Sequence, residues 1–149
     1  MNKIKKIGLL LFFIFAFIGC RQGQDSNKEK PKPTPDTPKT RMEIISFSVD
    51  GASQDPKTLL DGNKKITVHV DKPVLSIVLK EKYKDLAGSI KIENDSQALT
   101  FNASGATTFT FSTLAENAEK NVEIKITASN KEDINLKFKV IYEPYQKLE

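Results

Sequence analysis

The sequence predicts an all-β domain, an antiparallel β-sandwich of seven to eight strands, placed behind an N-terminal region of different character. Three observations predict it. From Met42 onward, apolar residues recur at every second position in short runs bounded by Gly, Pro, Asn and Asp. No stretch of that region sustains an apolar 3.6-residue period over a useful helix length. Turn residues also recur at roughly even intervals, the spacing of a sandwich and not of alternating strands and helices.

In chain order, Ile45, Phe47 and Val49 alternate with Ser46 and Ser48, a half-buried strand that Asp50-Gly51 ends. A long loop then closes on Asp61-Gly62-Asn63. Ile66, Val68 and Val70 alternate with Thr67, His69 and Asp71, which puts His69 on the polar side of a second strand. Pro73 cannot donate to a ladder, so a new strand starts at Val74. Val74 to Leu79 is apolar on both faces, as a central strand is. Glu81 to Leu86 reads as a loop or one helical turn. Ile90 and Ile92 alternate with Lys91 and Glu93, Asn94-Asp95-Ser96 turns the chain, and Leu99 and Phe101 make a weaker strand. Phe109 and Phe111 alternate with Thr108, Thr110 and Ser112. Leu114 to Lys120 holds helix formers without an apolar period and is read as a connection. Val122, Ile124, Ile126 and Ala128, then Ile134, Leu136, Phe138, Val140 and Tyr142, form two strands around the turn Asn130 to Asp133. That is a long hairpin with Lys and Glu facing water.

The region before Met42 has no such pattern. Residues 21–40, RQGQDSNKEKPKPTPDTPKT, carry no apolar side chain apart from four prolines, too little to offset the entropy of ordering them. Residues 20–41 are therefore expected to be a disordered tether with polyproline II bias. Fully extended it reaches as much as ~60 Å at ~3.1 Å per residue. Pro35-Asp36-Thr37-Pro38 also fits the spacing of a PxxP docking ligand.

Upstream, Lys3, Lys5 and Lys6 precede an apolar run from Ile7 to Ile18, and Gly19-Cys20 follows it. In a helix that run covers roughly 18 Å, short of the ~30 Å hydrocarbon slab, and positive charge before a short apolar core marks an export signal. Phe17-Ile18-Gly19-Cys20 resembles the lipobox of bacterial lipoproteins, with Phe at its first position as in the looser spirochaete form. The resemblance implies a signal peptide over 1–19, cleavage before Cys20, a diacylglyceryl group on the Cys20 thiol and acylation of the new amino terminus. Two or three chains at about 0.8 kcal/mol per buried methylene hold a protein on a membrane where one does not. Cys20 is the only cysteine, so an exported chain has no internal disulfide to make from it. An ordinary signal peptide and an uncleaved anchor are the alternatives. The expected location is the bacterial envelope, at the outer membrane.

The formal charge of +4 does not point to nucleic acid. Residues 1–41 hold the basic excess, whereas residues 42–149 carry fourteen basic and sixteen acidic side chains with no basic stripe. That leaves about 108 residues for one domain, enough for a core without disulfide or metal.

The order "IISFSVDG", "KKITVHV", "TTFTFSTL", "VEIKITASNKEDINLKFKVIYEP" resembles the immunoglobulin-like and cadherin-like domains of bacterial envelope lipoproteins. It spans nearly all of 42–143 and implies an immunoglobulin-like sandwich, without the Cys pair and core Trp of antibody domains. It implies an architecture and no ligand.

Few residues offer chemistry. His69 is the only histidine and has no nucleophile or orienting partner apparent around it. Asp50, Asp55 and Asp61 share one loop, but their spacing fits no calcium site, and turn-forming Asp explains all three. No Gly-x-Ser-x-Gly and no phosphate-cradling glycine loop occurs, and Asn94-Asp95-Ser96 and Asn102-Ala103-Ser104, which match the glycosylation triplet, read as turns. The expectation is a lipoprotein anchored through acyl groups on Cys20, without cofactor, metal or catalytic residues, that presents a binding or adhesion module to a protein partner. The alternative is a structural or accessory envelope protein within a larger periplasmic complex.

Overall fold

The period-two runs become strands of two packed sheets in a computed structural model, described over residues 37–146. The signal peptide, Cys20 and the tether up to residue 36 lie outside the described residues. The strands are β1 (Thr40–Arg41), β2 (Ile44–Val49), β3 (Ala52–Ser53), β4 (Lys65–Val68), β5 (Val74–Leu79), β6 (Ala87–Ile92), β7 (Asp95–Leu99), β8 (Ala106–Thr110), β9 (Glu119–Thr127), β10 (Lys131–Glu132) and β11 (Ile134–Tyr142). Eight of these eleven have four residues or more, in line with the seven to eight expected.

One sheet has the order β3-β2-β5-β8 and the other β4-β11-β9-β6-β7, with β1 and β10 as a short separate pair. Three strands of one sheet (β2, β5, β8) facing three of the other (β11, β9, β6) give the immunoglobulin-like arrangement, with β4 and β7 added on the flanks of the second sheet. Inward residues of both sheets meet in one core. Phe47 of β2 lies edge-on to Phe138 of β11, with ring centroids 5.7 Å apart at 86°. Around them Val49, Leu75, Ile77, Ile90, Ile124, Ile126, Leu136 and Val140 are fully buried. The long hairpin is as expected: β9 and β11 pair antiparallel from Ile134↔Ile126 to Ile141↔Glu119.

Three local expectations are corrected. The sandwich is not wholly antiparallel, because β4 runs parallel to β11 and β1 parallel to β10. For β4 the cause lies in the segment between β2 and β4. Asp50 (φ 51) and Gly51 (φ 76) reverse the chain in the type I′ manner that suits a two-residue hairpin, and the 3-10 turn Pro56–Thr58 precedes a second reversal. Two reversals leave β4 running in the direction of β2, beside β11. Second, the strand predicted through Val70 stops at Val68. Its partner β11 ends at Tyr142, so Val70, 40% exposed, continues the sequence alternation without a ladder. Third, the turn assigned to Asn94-Asp95-Ser96 falls on Glu93-Asn94. Asp95 to Leu99 is the strand and Phe101 lies beyond it.

Candidate functional site

The residues singled out from the sequence are scattered. His69 sits just past the end of β4, not on a strand face, with Nδ1 2.7 Å from the Glu143 carbonyl and its ring stacked on Tyr145 at 4.1 Å. Asp50 is in the β2–β3 turn. Asp55 caps the 3-10 turn, where its side chain accepts from the Lys57 main-chain N–H at 3.0 Å. Asp61 accepts from the Asn63 main-chain N–H, and that bond holds its carboxyl below the usual range. Each aspartate thus serves a separate turn. Among the described residues, no group of three or more His, Cys, Asp or Glu is placed to hold a metal ion. Cys20 lies outside them.

What the fold assembles instead is a groove of about 670 Å³ on one side of the sandwich, at the end where the chain enters. Its two walls are the ends of strands from different sheets: Met42 to Ile44 leading into β2, and Ile134 to Leu136 at the start of β11. Leu59 is fully buried in the shared core, and Leu60 beside it stays 62% exposed within the groove. The floor is apolar, from Met42, Ile44, Leu60 and Ile134. Arg41, Glu43, Asp55, Lys57, Glu132 and Asp133 stand around it, four acids against two bases.

Hydrogen bonding at the β11 wall is incomplete. Alternate residues of a strand direct their N–H and C=O groups to alternate sides. On the groove side, the Lys139 N–H donates to the Lys64 carbonyl at 2.8 Å and the Lys137 N–H to the Leu59 carbonyl. Asn135 is the next residue in that row, exposed, and no strand lies opposite it among the described residues. On the other wall, β3 pairs with β2 only at Ser48 and Val49, and an irregularity between Ile44 and Ser46 pushes Ile45 outward to 61% exposure.

The outer faces of the two sheets differ. Five of the six ion pairs among the described residues involve β9, β10 or β11, including Lys65 and Lys139 on Glu119, Lys137 on Glu123 and Lys125 on Asp133. The other sheet presents Ser46, Ser48, Ser76, Val78, Thr108 and Thr110 outward, with no charge.

Little in the sequence points to the groove. The Leu59-Leu60 pair within a loop of turn residues was its one visible signal, since a loop rarely needs two large apolar side chains.

No family model and no curated protein matches the chain. Among solved structures, the crystal structure of CopC from Methylosinus trichosporium OB3b aligns with a TM-score of 0.43 and 8% identity, over 73% of this chain and 100% of that one. A likeness of that degree transfers no function.

Proposed function

We propose that the protein is a bacterial envelope lipoprotein, held on the outer membrane by acyl groups on Cys20, whose immunoglobulin-like sandwich is a non-catalytic binding or adhesion module. The observation that carries the anchor is Gly19-Cys20 closing a lysine-led apolar run in a chain with no other cysteine. The binding role draws support from the open groove, whose apolar floor and partnerless strand end form the kind of surface that receives a protein segment. The tether sets the reach of the domain.

Metabolic labelling with a fatty-acid probe tests the anchor. The wild-type chain is expected to carry label and to migrate as the processed form. Cys20→Ala is expected to lose the label and accumulate as the precursor. Label that persists in Cys20→Ala refutes acylation at this residue. Proteinase treatment of intact cells, with a periplasmic control, then separates two settings for the module. Digestion means partners outside the cell, and protection until the envelope is opened means a periplasmic partner.

A further inference from the structure

We propose that the groove between β2 and β11 binds a short extended peptide of a partner protein, paired through its main chain to Asn135 and carrying Lys or Arg next to an apolar residue. This deepens the binding-module reading and rests on it.

The main-chain pairing follows from the row of groove-side donors on β11. Lys139 and Lys137 are matched to Lys64 and Leu59, and Asn135 continues the row with no ladder partner on that side among the described residues. An incoming strand extends the line that β4 and Leu59 begin. The space is short: three residues, Ile134 to Leu136, at about 3.3 Å each, limit the paired length to roughly 10 Å. The outward irregularity at Ile45 makes β2 a poor template, so β11 is the pairing wall and β2 the packing wall.

The side-chain chemistry follows from the lining. A strand places alternate side chains on opposite faces, so one row faces the floor at Ile44, Leu60 and Ile134, and the next faces the rim. An apolar residue suits the first. At the rim, Asp55 has no Lys or Arg within ion-pair distance among the described residues. Glu132, Glu43 and Asp133 pair with Arg41, Lys80 and Lys125 at 2.8, 2.8 and 3.2 Å, in pairs 41% or more exposed on both sides. Exposed pairs of this kind contribute little and exchange partners readily. A basic side chain entering the groove therefore meets one carboxylate, Asp55, that holds the Lys57 main-chain N–H but no Lys or Arg among the described residues, and three that can turn to it.

The test is a titration of the Cys20→Ser chain with a capped hexapeptide of alternating Lys and Val, followed through the methyl NMR signals of Ile44, Leu60 and Ile134. Two control peptides replace Lys by Glu or N-methylate the central amides. The expected result is saturable shifts confined to these methyls, with binding at least tenfold weaker for either control. Asn135→Pro and Leu60→Ser are each expected to weaken the Lys-Val peptide by a similar factor. Proline is tolerated where a strand N–H faces outward, so the Asn135 variant keeps its β-type spectrum. If it does not, Leu60→Ser at an exposed position decides. No saturable shift up to millimolar peptide overturns the proposal, as do equal affinity for the Glu peptide or shifts centred on the charged face of β9 and β11. Label on Cys20 of the wild-type chain together with a silent titration loses the groove and keeps the anchor, and the reverse result loses only the anchor.

Discussion

Gly105 and Gly51 both adopt positive φ, +78° and +76°, yet their surroundings differ enough to give opposite tolerance to a side chain. At Gly105 a Cβ falls 2.6 Å from the Glu81 carbonyl oxygen and 2.9 Å from its carbon, atoms of a backbone that cannot step aside. The same loop is tied down on both flanks: Asn102 accepts from the Ser104 and Ala106 N–H groups, and the Gly105 carbonyl accepts from Leu79. Gly105→Ala therefore adds a steric clash to the cost of the left-handed conformation, and a loss of roughly 2–4 kcal/mol is expected. At Gly51 nothing lies within 4 Å, so Gly51→Ala carries the conformational cost alone, about 1 kcal/mol. Urea midpoints at unchanged slope measure both. Equal losses at the two sites contradict the close approach of Gly105 to Glu81.

At the scale of elements, the β6–β7 turn shows how a charged residue holds a reversal. Glu93, at φ 54, accepts the Asn121 main-chain N–H on Oε1 at 2.7 Å while its own N–H donates to the Asn121 carbonyl at 3.0 Å. Chiefly through that N–H, its carboxyl is held below its ordinary value of 4.5. The unfolded chain thus binds the proton more readily, and the contribution of this contact, complete above the ordinary value, is lost as pH falls through the lowered one. Glu93→Gln is expected to flatten the fall of melting temperature between about pH 6 and about pH 3 relative to wild type. An unchanged profile removes Glu93 from the acid response. This turn also marks where the sequence was hard to read. Strands β9 and β11 were legible because nine-residue alternation against a buried face leaves one register. Strand β7, Asp-Ser-Gln-Ala-Leu, is an edge with four of five residues exposed, so its composition is that of a turn, and only backbone pairing with β6 makes it a strand. The groove was hidden for a related reason. It exists where pairing on the β4 side of β11 stops, at Asn135, and no residue type announces a missing neighbour.

For the molecule as a whole, both sheets share one core. Its closure depends on side chains outside the long strands as well as within them: Met42, Leu59, Tyr83, Phe111 and Leu114 join the strand residues in a single buried cluster. A core so shared has no half that can stand without the other, and the domain contains no cysteine. The order comes from apolar packing and ladders alone. Residues 38–149 are therefore expected to fold as an isolated fragment, with a β-type far-UV circular dichroism spectrum and a single cooperative melting transition. Helical signal, or two transitions, contradicts the shared core. The three loop aspartates make the same experiment informative about metal. Asp55 and Asp61 already accept hydrogen bonds from their own turns, and Asp50 sits in the β2–β3 hairpin turn. A chelator is thus expected to leave the melting temperature where it was. A large downward shift contradicts that expectation, because a cation that binds only the folded chain stabilises it by an amount that grows with the logarithm of its free concentration relative to its dissociation constant. Such a cation would require a ligand arrangement that draws these carboxylates away from the turns they hold.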